Sequence, residues 1–382
     1  MKKTIEIKKI TTKKGMKKFM QFRYDLYRDD PNDVPYLRFD EWFTLQSDKN
    51  ASFDDCDADF FLAYRDGKAV GRVAAIINRK ANQRWNNKVV RFGWFDFIDD
   101  TDVSEALLHT VEQWGKERGM TQMAGPLGFA DTDREGMLVE GFENYGTPYA
   151  SYNYPYYPTH IDHYGGFRKD NDYVQTLVTV PETVPEKFAR VAAMVEKRHN
   201  LHVHKLTRHE LLKEGYGREV FSMLNNTYHD LYGFADLNQR KIDQLVEQYI
   251  KIADLNLVSI IVDGNANNKM VGFGITFPSI SKPLKGSRNG RLLPFTWLRL
   301  LNAIYWKRSD TVDMLLIGVL PEYRAKGANA IIFNDLVNQY IRYGFKYAQA
   351  LPQMETNSNI LNNWQYFDAH INRRLRCFIK NI

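Results

Sequence analysis

The sequence is poor in cysteine and has no long hydrophobic run. Its 382 residues include two cysteines, Cys56 and Cys377, which lie far apart and form no metal or redox motif. This spacing excludes a disulfide framework. The longest purely aliphatic stretches, such as residues 315–317, are far too short to span a bilayer, and no apolar run that could serve as a signal peptide follows the charged N-terminus. We therefore expect a soluble cytoplasmic protein without a membrane partner.

Positive charge is concentrated at the N-terminus. Residues 1–18 contain eight lysines and one glutamate, which give +7, whereas the whole chain has a net charge of +6, so the remainder is close to neutral at −1. No stacking or basic-helix motif for nucleic acid accompanies this arm. The charge therefore gives no reason to expect a nucleic-acid partner, and the sequence does not indicate an oligomeric state.

A long-period repeat is present, whereas low-complexity segments are absent. Each half has an apolar strand, a helix with apolar residues at helical spacing, and a second strand. The first strands of these units are residues 89–98 and 311–320, and the turn at 118–121 recurs at 343–346, about 225 residues later. A hairpin precedes each unit, with turns at Asp66-Gly67 and around Gly264-Asn265. We therefore expect a mixed α/β fold in two modules, 1–185 and 186–382.

One segment has the pattern of a ligand site. A buried strand ends at Pro321, a short basic loop contains Arg324, Lys326 and Gly327, and a helix begins at about Ala328. The N–H groups of a helix's first turn and the helix dipole favour an anion. Glycine lets the backbone approach closely, and the two cations add countercharge. The pattern predicts a pyrophosphate site.

This segment resembles the acyl-CoA loop of the GNAT superfamily of N-acyltransferases, whose pattern is Arg/Gln-x-x-Gly-x-Gly/Ala after a strand. Arg324 and Gly327 match the pattern, whereas Asn329 stands where Gly or Ala is usual. The whole chain also resembles bacterial proteins with two GNAT modules, with which it shares runs such as Gly125-Pro126 and residues 154–158. The resemblance implies two tandem GNAT folds of α/β class with mixed sheets, and acetyl-CoA or another acyl-CoA as co-substrate. The residues that it assigns to acyl-CoA binding are Ile317, Gly318, Val319, Arg324, Lys326, Gly327, Ala328, Asn329 and Ala330.

The equivalent loop of the first half differs in composition. It contains Asp99, Asp100 and Asp102 and no glycine. Aspartates cap a helix well but repel a pyrophosphate. We therefore expect the first module to retain the fold without a CoA site, and the second module to contain the acyl-CoA site.

The resemblance also implies catalytic residues. The reaction needs a neutral amine, a polarised thioester carbonyl and a proton for the leaving thiolate. In the family, backbone N–H groups of the strand before the loop polarise the carbonyl, which here falls near Gly318 and Val319. A tyrosine on the last helix protonates the thiolate; Tyr366 is the candidate, with packing in the core as the alternative. Glu355 is the candidate for orienting or deprotonating the amine, with a solvated loop carboxylate as the alternative.

We expect no metal site. His202 and His204 share one strand face, but no further ligands lie nearby in the sequence. Asp131, Asp133 and Glu135 lack the remaining spacing of a calcium loop. They are expected to lie in a solvated loop or to contact a cationic substrate.

The second half carries about twenty extra residues, within residues 279–308. This segment is densely apolar and is flanked by basic residues. Pro294 could start a helix that places Leu298, Leu301 and Tyr305 on one face. We expect this face to be buried within the protein rather than to lie on a membrane, and the segment to form a lid or wall for the acyl or amine site.

These features predict an acyl-CoA-dependent N-acyltransferase, most simply an N-acetyltransferase, that acts on a small-molecule or peptide amine. Two alternatives stay open. One is a non-catalytic acyl-CoA-binding sensor or scaffold, and the other is a GNAT-fold transferase that uses aminoacyl-tRNA. The near-neutral body and the basic loop at Arg324 favour CoA over tRNA.

Overall fold

The computed structural model describes residues 4–231, 233–249, 253–306 and 309–382, which form two compact units. Unit 1 comprises Met1–Val174, Ser281–Leu300 and Asn372–Ile382, and unit 2 comprises Gln175–Ile280 and Leu301–Ile371. These units are not the consecutive modules 1–185 and 186–382 that the sequence predicts. The difference arises because two segments of the second half, 281–300 and 372–382, pack in unit 1.

The elements are numbered in chain order. The strands are β1 (Glu6–Lys9), β2 (Cys56–Arg65), β3 (Lys68–Asn78), β4 (Val89–Phe97), β5 (Gln122–Gly125), β6 (Met137–Glu140), β7 (Arg168–Thr179), β8 (Leu201–His204), β9 (Val258–Asp263), β10 (Lys269–Pro278), β11 (Thr311–Val319), β12 (Tyr347–Ala350), β13 (Gln353–Met354) and β14 (Ala369–Asn381). The α-helices are α1 (Lys13–Leu26), α2 (Arg38–Thr44), α3 (Arg79–Arg84), α4 (Thr101–Lys116), α5 (Tyr157–Tyr164), α6 (Glu186–His199), α7 (Arg208–Lys213), α8 (Tyr216–Thr227), α9 (Gln239–Tyr249), α10 (Ser281–Lys285), α11 (Thr296–Leu301), α12 (Pro321–Arg324), α13 (Ala328–Tyr343) and α14 (Ser358–Leu361). Short 3-10 helices occupy Ala51–Asp54, Leu255–Leu257, Gly264–Ala266 and Asn362–Tyr366, and a π-helical turn occupies Asn302–Trp306.

Unit 1 contains a mixed sheet with the strand order β1-β2-β3-β4-β5-β14. Its one parallel pair along this order joins β4 to β5, with Val89–Arg91 opposite Gln122–Ala124. The C-terminal strand then pairs antiparallel with β5, where Phe378 lies opposite Gly125. Helix α4 connects the two parallel strands and buries its apolar face. The end of the chain therefore completes the sheet of the first unit.

Within unit 2 the strand order is the end of β7, then β12, β11, β10, β9 and β8, again with mixed strand directions. Strands β11 and β12 are parallel, with Thr311–Met314 opposite Tyr347–Ala350, and α13 connects them. The neighbouring pairs of this sheet are antiparallel. Each unit therefore has a hairpin followed by a strand-helix-strand crossover, as the long-period repeat predicts.

The turns and helix ends explain why these elements form where they do. The β2–β3 hairpin turns through Asp66 and Gly67, whose positive φ angles of 51° and 74° suit a tight two-residue turn. Helix α13 begins after Gly327 and ends at Gly344, and both glycines have left-handed backbone conformations. Among the described residues, no helix combines the length and apolar character that crossing a membrane requires.

The segment 279–308 differs from the expectation for it. Helix α11 does follow Pro294, but Leu298 and Tyr305 are 41% and 45% exposed. The predicted burial of this face is therefore wrong, because α11 and the π-helical turn after it leave these two side chains largely exposed to solvent. Residues 281–300 also lie in unit 1 and not in the unit with the Arg324 loop. Lys307 and Arg308 lie outside the described residues.

Candidate acyl-CoA site

The site begins where two parallel strands part. Pairing between β11 and β12 ends with Met314 opposite Ala350, whereas pairing between β11 and β10 continues to Val319 opposite Gly272. A register shift at Ile275 and Thr276 of β10 accompanies this change, and such bulges bend a strand and redirect its edge. The last residues of β11 are therefore paired with β10 on one edge, whereas their other edge, which is called the open edge, is no longer paired with β12.

The orientation of the backbone groups along this edge follows from their hydrogen bonds. The carbonyl oxygen of Ile317 accepts from the Tyr228 hydroxyl at 3.2 Å, and that of Val319 accepts from Nε of Arg324 at 3.0 Å. The N–H of Leu320 instead donates to Val271 of β10. Because backbone groups alternate between the two edges of a strand, the N–H groups of Ile317 and Val319 face the open edge. That of Gly318 faces β10, so of the two positions near which the resemblance places the polarising N–H groups, Val319 is the one with its N–H at the open edge.

Gly318 is a packing position. A Cβ atom here would lie 2.7 Å from the ring of Phe273 and 2.9 Å from Oγ1 of Thr227. Both distances are shorter than van der Waals contact allows. The glycine therefore permits α8 and β10 to approach β11 closely at the point where the site begins.

Arg324 holds the loop in place. Its Nε donates to the Val319 carbonyl, and its Nη2 donates to the Thr227 carbonyl at the C-terminus of α8. Two of the N–H donors of Arg324 are therefore used within the protein. This structural role comes in addition to the countercharge role that the sequence predicts. The arginine connects three parts of unit 2: the end of β11, the loop and α8.

The N-terminus of α13 is open to an anion. Its N-cap is Gly327, with φ of 84°, which has no side chain to cap the helix, and the first turn contains no acidic residue. Ala328 and Ala330 are buried, and Asn329 is half-buried. The first N–H groups of a helix lack the i−4 carbonyl partner of later turns, although here the N–H of Ala330 donates to the Gly327 carbonyl at 2.9 Å. These features leave the helix dipole uncompensated at this end.

Lys326 lies beside this N-terminus. Its Nζ is 4.0 Å from the centroid of the Tyr323 ring, a distance that gives a cation–π contact. The Tyr323 hydroxyl donates to Asp263 at 2.7 Å, and this hydrogen bond lowers the pKa of Asp263. The Tyr323 ring therefore orients Lys326, and the hydrogen bond to Asp263 of β9 fixes the position of that ring.

The two predicted catalytic residues lie on the segments after β12. Glu355 is half-buried in the turn that follows β13. Tyr366 ends a 3-10 helix, is 37% exposed, and has its ring 5.8 Å from that of Phe188 and 5.5 Å from Nζ of Lys187. Tyr366 is therefore only partly packed against α6. The catalytic roles of both residues stay predictions.

Tyr228 and Thr227 are the residues that sequence reasoning missed. They lie about ninety residues before Ile317 and Gly318 in the sequence and match no part of the loop pattern. Their position at the end of α8 brings them to Ile317 and Gly318. The sequence carries no local signal for this contact, because it depends on how α8 packs against the sheet.

A small apolar cavity of about 10 Å³ lies between α13 and the sheet of unit 2. Met314, the last residue of β11 that pairs with β12, is part of its lining. Helix α13 and the segment before β14 supply further walls. The lining residues are Val178, Val180, Pro181, Met314, Phe333, Val337, Tyr340, Ala348, Trp364 and Phe367.

The corresponding helix of unit 1 is capped by its own residues. Asp100 is the N-cap of α4 and accepts from the N–H of Asp102. Arg65 forms two hydrogen bonds with the same carboxylate, at 2.5 and 3.1 Å, and these lower the pKa of Asp100. The predicted capping by aspartate is confirmed. An anion at this terminus would have to compete with a bound carboxylate.

The acidic cluster after β5 is not a solvated loop, so that expectation is wrong. The Asp133 carboxylate accepts from the N–H groups of Phe129 and Ala130. Both carboxyl oxygens of Asp131 are buried, and burial raises the pKa of Asp131 to about 7. Burial also raises the pKa of Glu135.

The histidines do not assemble a metal site. His204 pairs with Glu210 at 2.9 Å. Over the part of the chain that the structure describes, no group of three or more His, Cys, Asp or Glu side chains is arranged to hold a metal ion.

Comparison with known proteins finds two proteins of similar sequence and one solved structure of similar fold. No protein-family model matches the chain. It is 24% identical over 381 residues to Protein YghO of Escherichia coli (strain K12), a match that covers 98% of this chain and 95% of that protein. It is 26% identical over 320 residues to the Bacterial ceramide synthase of Caulobacter vibrioides (strain NA1000 / CB15N), covering 82% and 80%. A solved tandem GNAT protein from the clavulanic acid biosynthesis pathway matches with a TM-score of 0.57 and 10% identity, covering 99% of this chain and 98% of that one. The chain therefore has the tandem GNAT fold, as the loop pattern and the repeat predict.

Proposed function

We propose that this protein is an acyl-CoA-dependent N-acyltransferase whose acyl-CoA site lies in unit 2. One observation carries the proposal: the N-terminus of α13, whose N-cap is Gly327, follows the end of β11 after the short helix α12, and this end of β11 is no longer paired with β12. The helix terminus suits the pyrophosphate of CoA. The exposed edge offers N–H groups to the pantetheine arm and the thioester, which need donors along an extended chain.

The chemistry follows from this arrangement. A neutral amine attacks the thioester carbon, the N–H group of Val319 stabilises the developing negative charge on the carbonyl oxygen, and the CoA thiolate leaves. Tyr366 is the proposed donor of a proton to that thiolate, and Glu355 the proposed group that orients the amine or accepts its proton through water. Tyr228 keeps the end of β11 in position through the Ile317 carbonyl.

We propose a long-chain amino alcohol as the acceptor. A ceramide is the N-acyl derivative of such an amine, and one of the relatives is named as a ceramide synthase. A long alkyl chain can belong to the acyl group or to the amine. We therefore expect activity to increase with the chain length of one of these two substrates.

The test is acyl-CoA turnover by the purified full-length chain. Free thiol release is measured with acetyl-, octanoyl- and palmitoyl-CoA, each with a long-chain 2-amino-1,3-diol, a hydrophilic diamine or an amino acid. Thiol release that depends on the amine, with the amide product found by mass spectrometry, supports the proposal. The Gly327→Asp variant is the matched control for a site at α13.

The alternatives predict other results. A sensor or scaffold binds acyl-CoA but releases no thiol with any amine. A transferase that uses aminoacyl-tRNA consumes that substrate and leaves every acyl-CoA intact. If the diamine is acylated and the long-chain amine is not, the acyltransferase assignment stands and the proposed acceptor class is wrong.

A further inference from the structure

The strongest surface feature of the protein is the basic apolar segment, residues 281–300 of unit 1. It contains Lys282, Lys285, Arg288, Arg291 and Arg299 and no acidic residue. The surrounding sequence shares this bias, since no Asp or Glu occurs between Asp263 and Asp310. The positive charge is therefore segregated along the chain rather than balanced locally.

The same segment exposes large apolar side chains. Leu293, Phe295, Trp297 and Leu298 form the exposed patch, with exposed fractions of 71%, 64%, 42% and 41%. Single exposed apolar residues are ordinary, whereas a contiguous group of this size indicates a binding surface. Further along the chain, in unit 2, Trp306 is 68% exposed as well.

The backbone that carries the patch is anchored to unit 1. Nζ of Lys285 donates to the carbonyl oxygens of Asp30 and Asp33, and the Gly290 carbonyl accepts from the N–H of Arg38 at 3.0 Å. Gly290 has φ of 68°, and a Cβ atom there would lie 1.8 Å from the carbonyl oxygen of Tyr36. A larger residue would not fit this contact. The patch is therefore held on a fixed base and is not a loose loop.

The anchoring contacts also bring a further exposed ring to this region. Phe39, in the first turn of α2, is 57% exposed and directly follows Arg38, the residue that bonds to Gly290. Arg288 and Arg291 flank this contact and are both exposed. The surface therefore combines aromatic and aliphatic side chains with guanidinium groups.

We propose that the exposed patch docks unit 1 on the surface of an anionic phospholipid bilayer. Tryptophan, phenylalanine and leucine side chains enter the boundary between headgroups and acyl chains, and lysine and arginine side chains lie at the level of the phosphates. The charge complementarity selects this partner: four exposed basic residues, Lys282, Arg288, Arg291 and Arg299, in a segment without an acidic residue suit a negatively charged sheet of headgroups. Helix α11 is short, so the contact is peripheral and does not span the bilayer.

This proposal does not depend on the acyltransferase activity, and it revises the sequence-based expectation of no membrane partner. That expectation assumed that the apolar face of the segment is buried within the protein. The exposure of Leu293, Phe295 and Trp297 removes the assumption.

The experiment is co-sedimentation of the full-length protein with vesicles, without acyl-CoA or amine. One set of vesicles is phosphatidylcholine alone, and the other is an equal mixture of phosphatidylcholine and phosphatidylglycerol. We expect binding to the mixed vesicles, weaker binding to phosphatidylcholine alone, and release from the mixed vesicles at high salt. The double variant Phe295→Ser/Trp297→Ser should bind about tenfold more weakly than the wild type.

Matched controls separate the patch from the rest of unit 1. Trp85 is 40% exposed in the same unit, so Trp85→Ser should bind like the wild type. Arg288→Gln/Arg291→Gln should weaken binding to the mixed vesicles, whereas Lys68→Gln/Lys88→Gln, which removes two exposed charges elsewhere, should have a small effect.

Three outcomes would overturn the proposal. The wild type fails to sediment with the mixed vesicles, or the patch variant binds as tightly as the wild type. In the third outcome, neither the wild type nor the Phe295→Ser/Trp297→Ser variant binds vesicles, and light scattering shows that the wild type self-associates whereas the variant is monomeric. The patch would then be an interface between copies of this chain. Circular dichroism of each variant confirms that it is folded.

Discussion

Tyr228, at the C-terminal end of α8, donates a hydrogen bond of 3.2 Å to the carbonyl oxygen of Ile317 in β11. Burial raises the pKa of Tyr228 to about 12, so the hydroxyl remains a donor at neutral pH. The bond fixes the edge of β11 at which the acyl-CoA site is proposed. A residue that matches no sequence motif therefore supports the backbone of the site.

Tyr228→Phe should separate this positioning role from plain stability. Loss of the hydrogen bond is expected to lower the free energy of unfolding by about 1 kcal/mol, and a shifted strand edge should also lower kcat while the Kd for CoA changes little. Thermal melts and steady-state kinetics measure the two effects. Tyr216→Phe, at the other end of the same helix, is the control. Normal turnover in a destabilised Tyr228→Phe protein would reduce the contact to a structural one.

Tyr366→Phe tests the proposed proton donor. If Tyr366 protonates the leaving thiolate, the variant should lose roughly 10²-fold in kcat with nearly unchanged CoA affinity. Because Tyr366 is 37% exposed, the melting temperature should stay close to that of the wild type. Full activity would assign Tyr366 to packing on Phe188.

Gly327→Asp tests the N-terminus of α13 as the pyrophosphate site. The substitution adds bulk and negative charge at a left-handed position with φ of 84°, and CoA affinity should fall by at least about tenfold. Gly327→Asn is the matched control, because asparagine has the same shape without the charge and tolerates this backbone conformation. Calorimetry should show the larger loss for Asp. Equal affinities of the Asp variant and the wild type would place CoA elsewhere.

One CoA per chain is expected, because the Asp100 carboxylate already caps α4 and is paired with Arg65. Titration calorimetry with CoA should give a stoichiometry near one, and the Gly327→Asp variant should lose that binding event. A stoichiometry near two would show that unit 1 also binds CoA, in spite of its aspartates.

Asp313→Asn should make the protein less sensitive to pH. Asp313 is buried in β11, and burial raises its pKa to about 7, above the value of about 3.9 in an unfolded chain. The folded state therefore retains a proton that the unfolded state releases, so stability falls as the pH rises between these two values. The variant should melt about 3 °C or more above the wild type at pH 8 and gain less at pH 5. An equal shift at both pH values would contradict this assignment.

The sequence alone predicts the elements whose signals are local. The Asp66-Gly67 hairpin, the crossover through α13 and the glycine at its N-cap are visible because turn chemistry and helical periodicity act over a few residues. The fold follows from the order of these elements in each half. The aspartates that cap α4 can likewise be recognised from their position before a helix.

Features that depend on distant residues could not be read from the sequence in this way. Nothing local indicates that residues 281–300 and 372–382 pack in unit 1, or that Tyr228 contacts β11. The apolar residues of α11 have the same pattern whether they are buried or exposed, and the structure places them on the surface.

The sequence by itself thus determined the repeated strand-helix-strand plan and the glycine-headed helix, because backbone geometry and capping depend on neighbouring residues. The tertiary structure decided which amides face the open edge of β11, which carboxylates are buried, and that the basic apolar segment presents its rings to solvent. Burial and strand pairing depend on which distant segments meet, and that is a property of the folded chain as a whole.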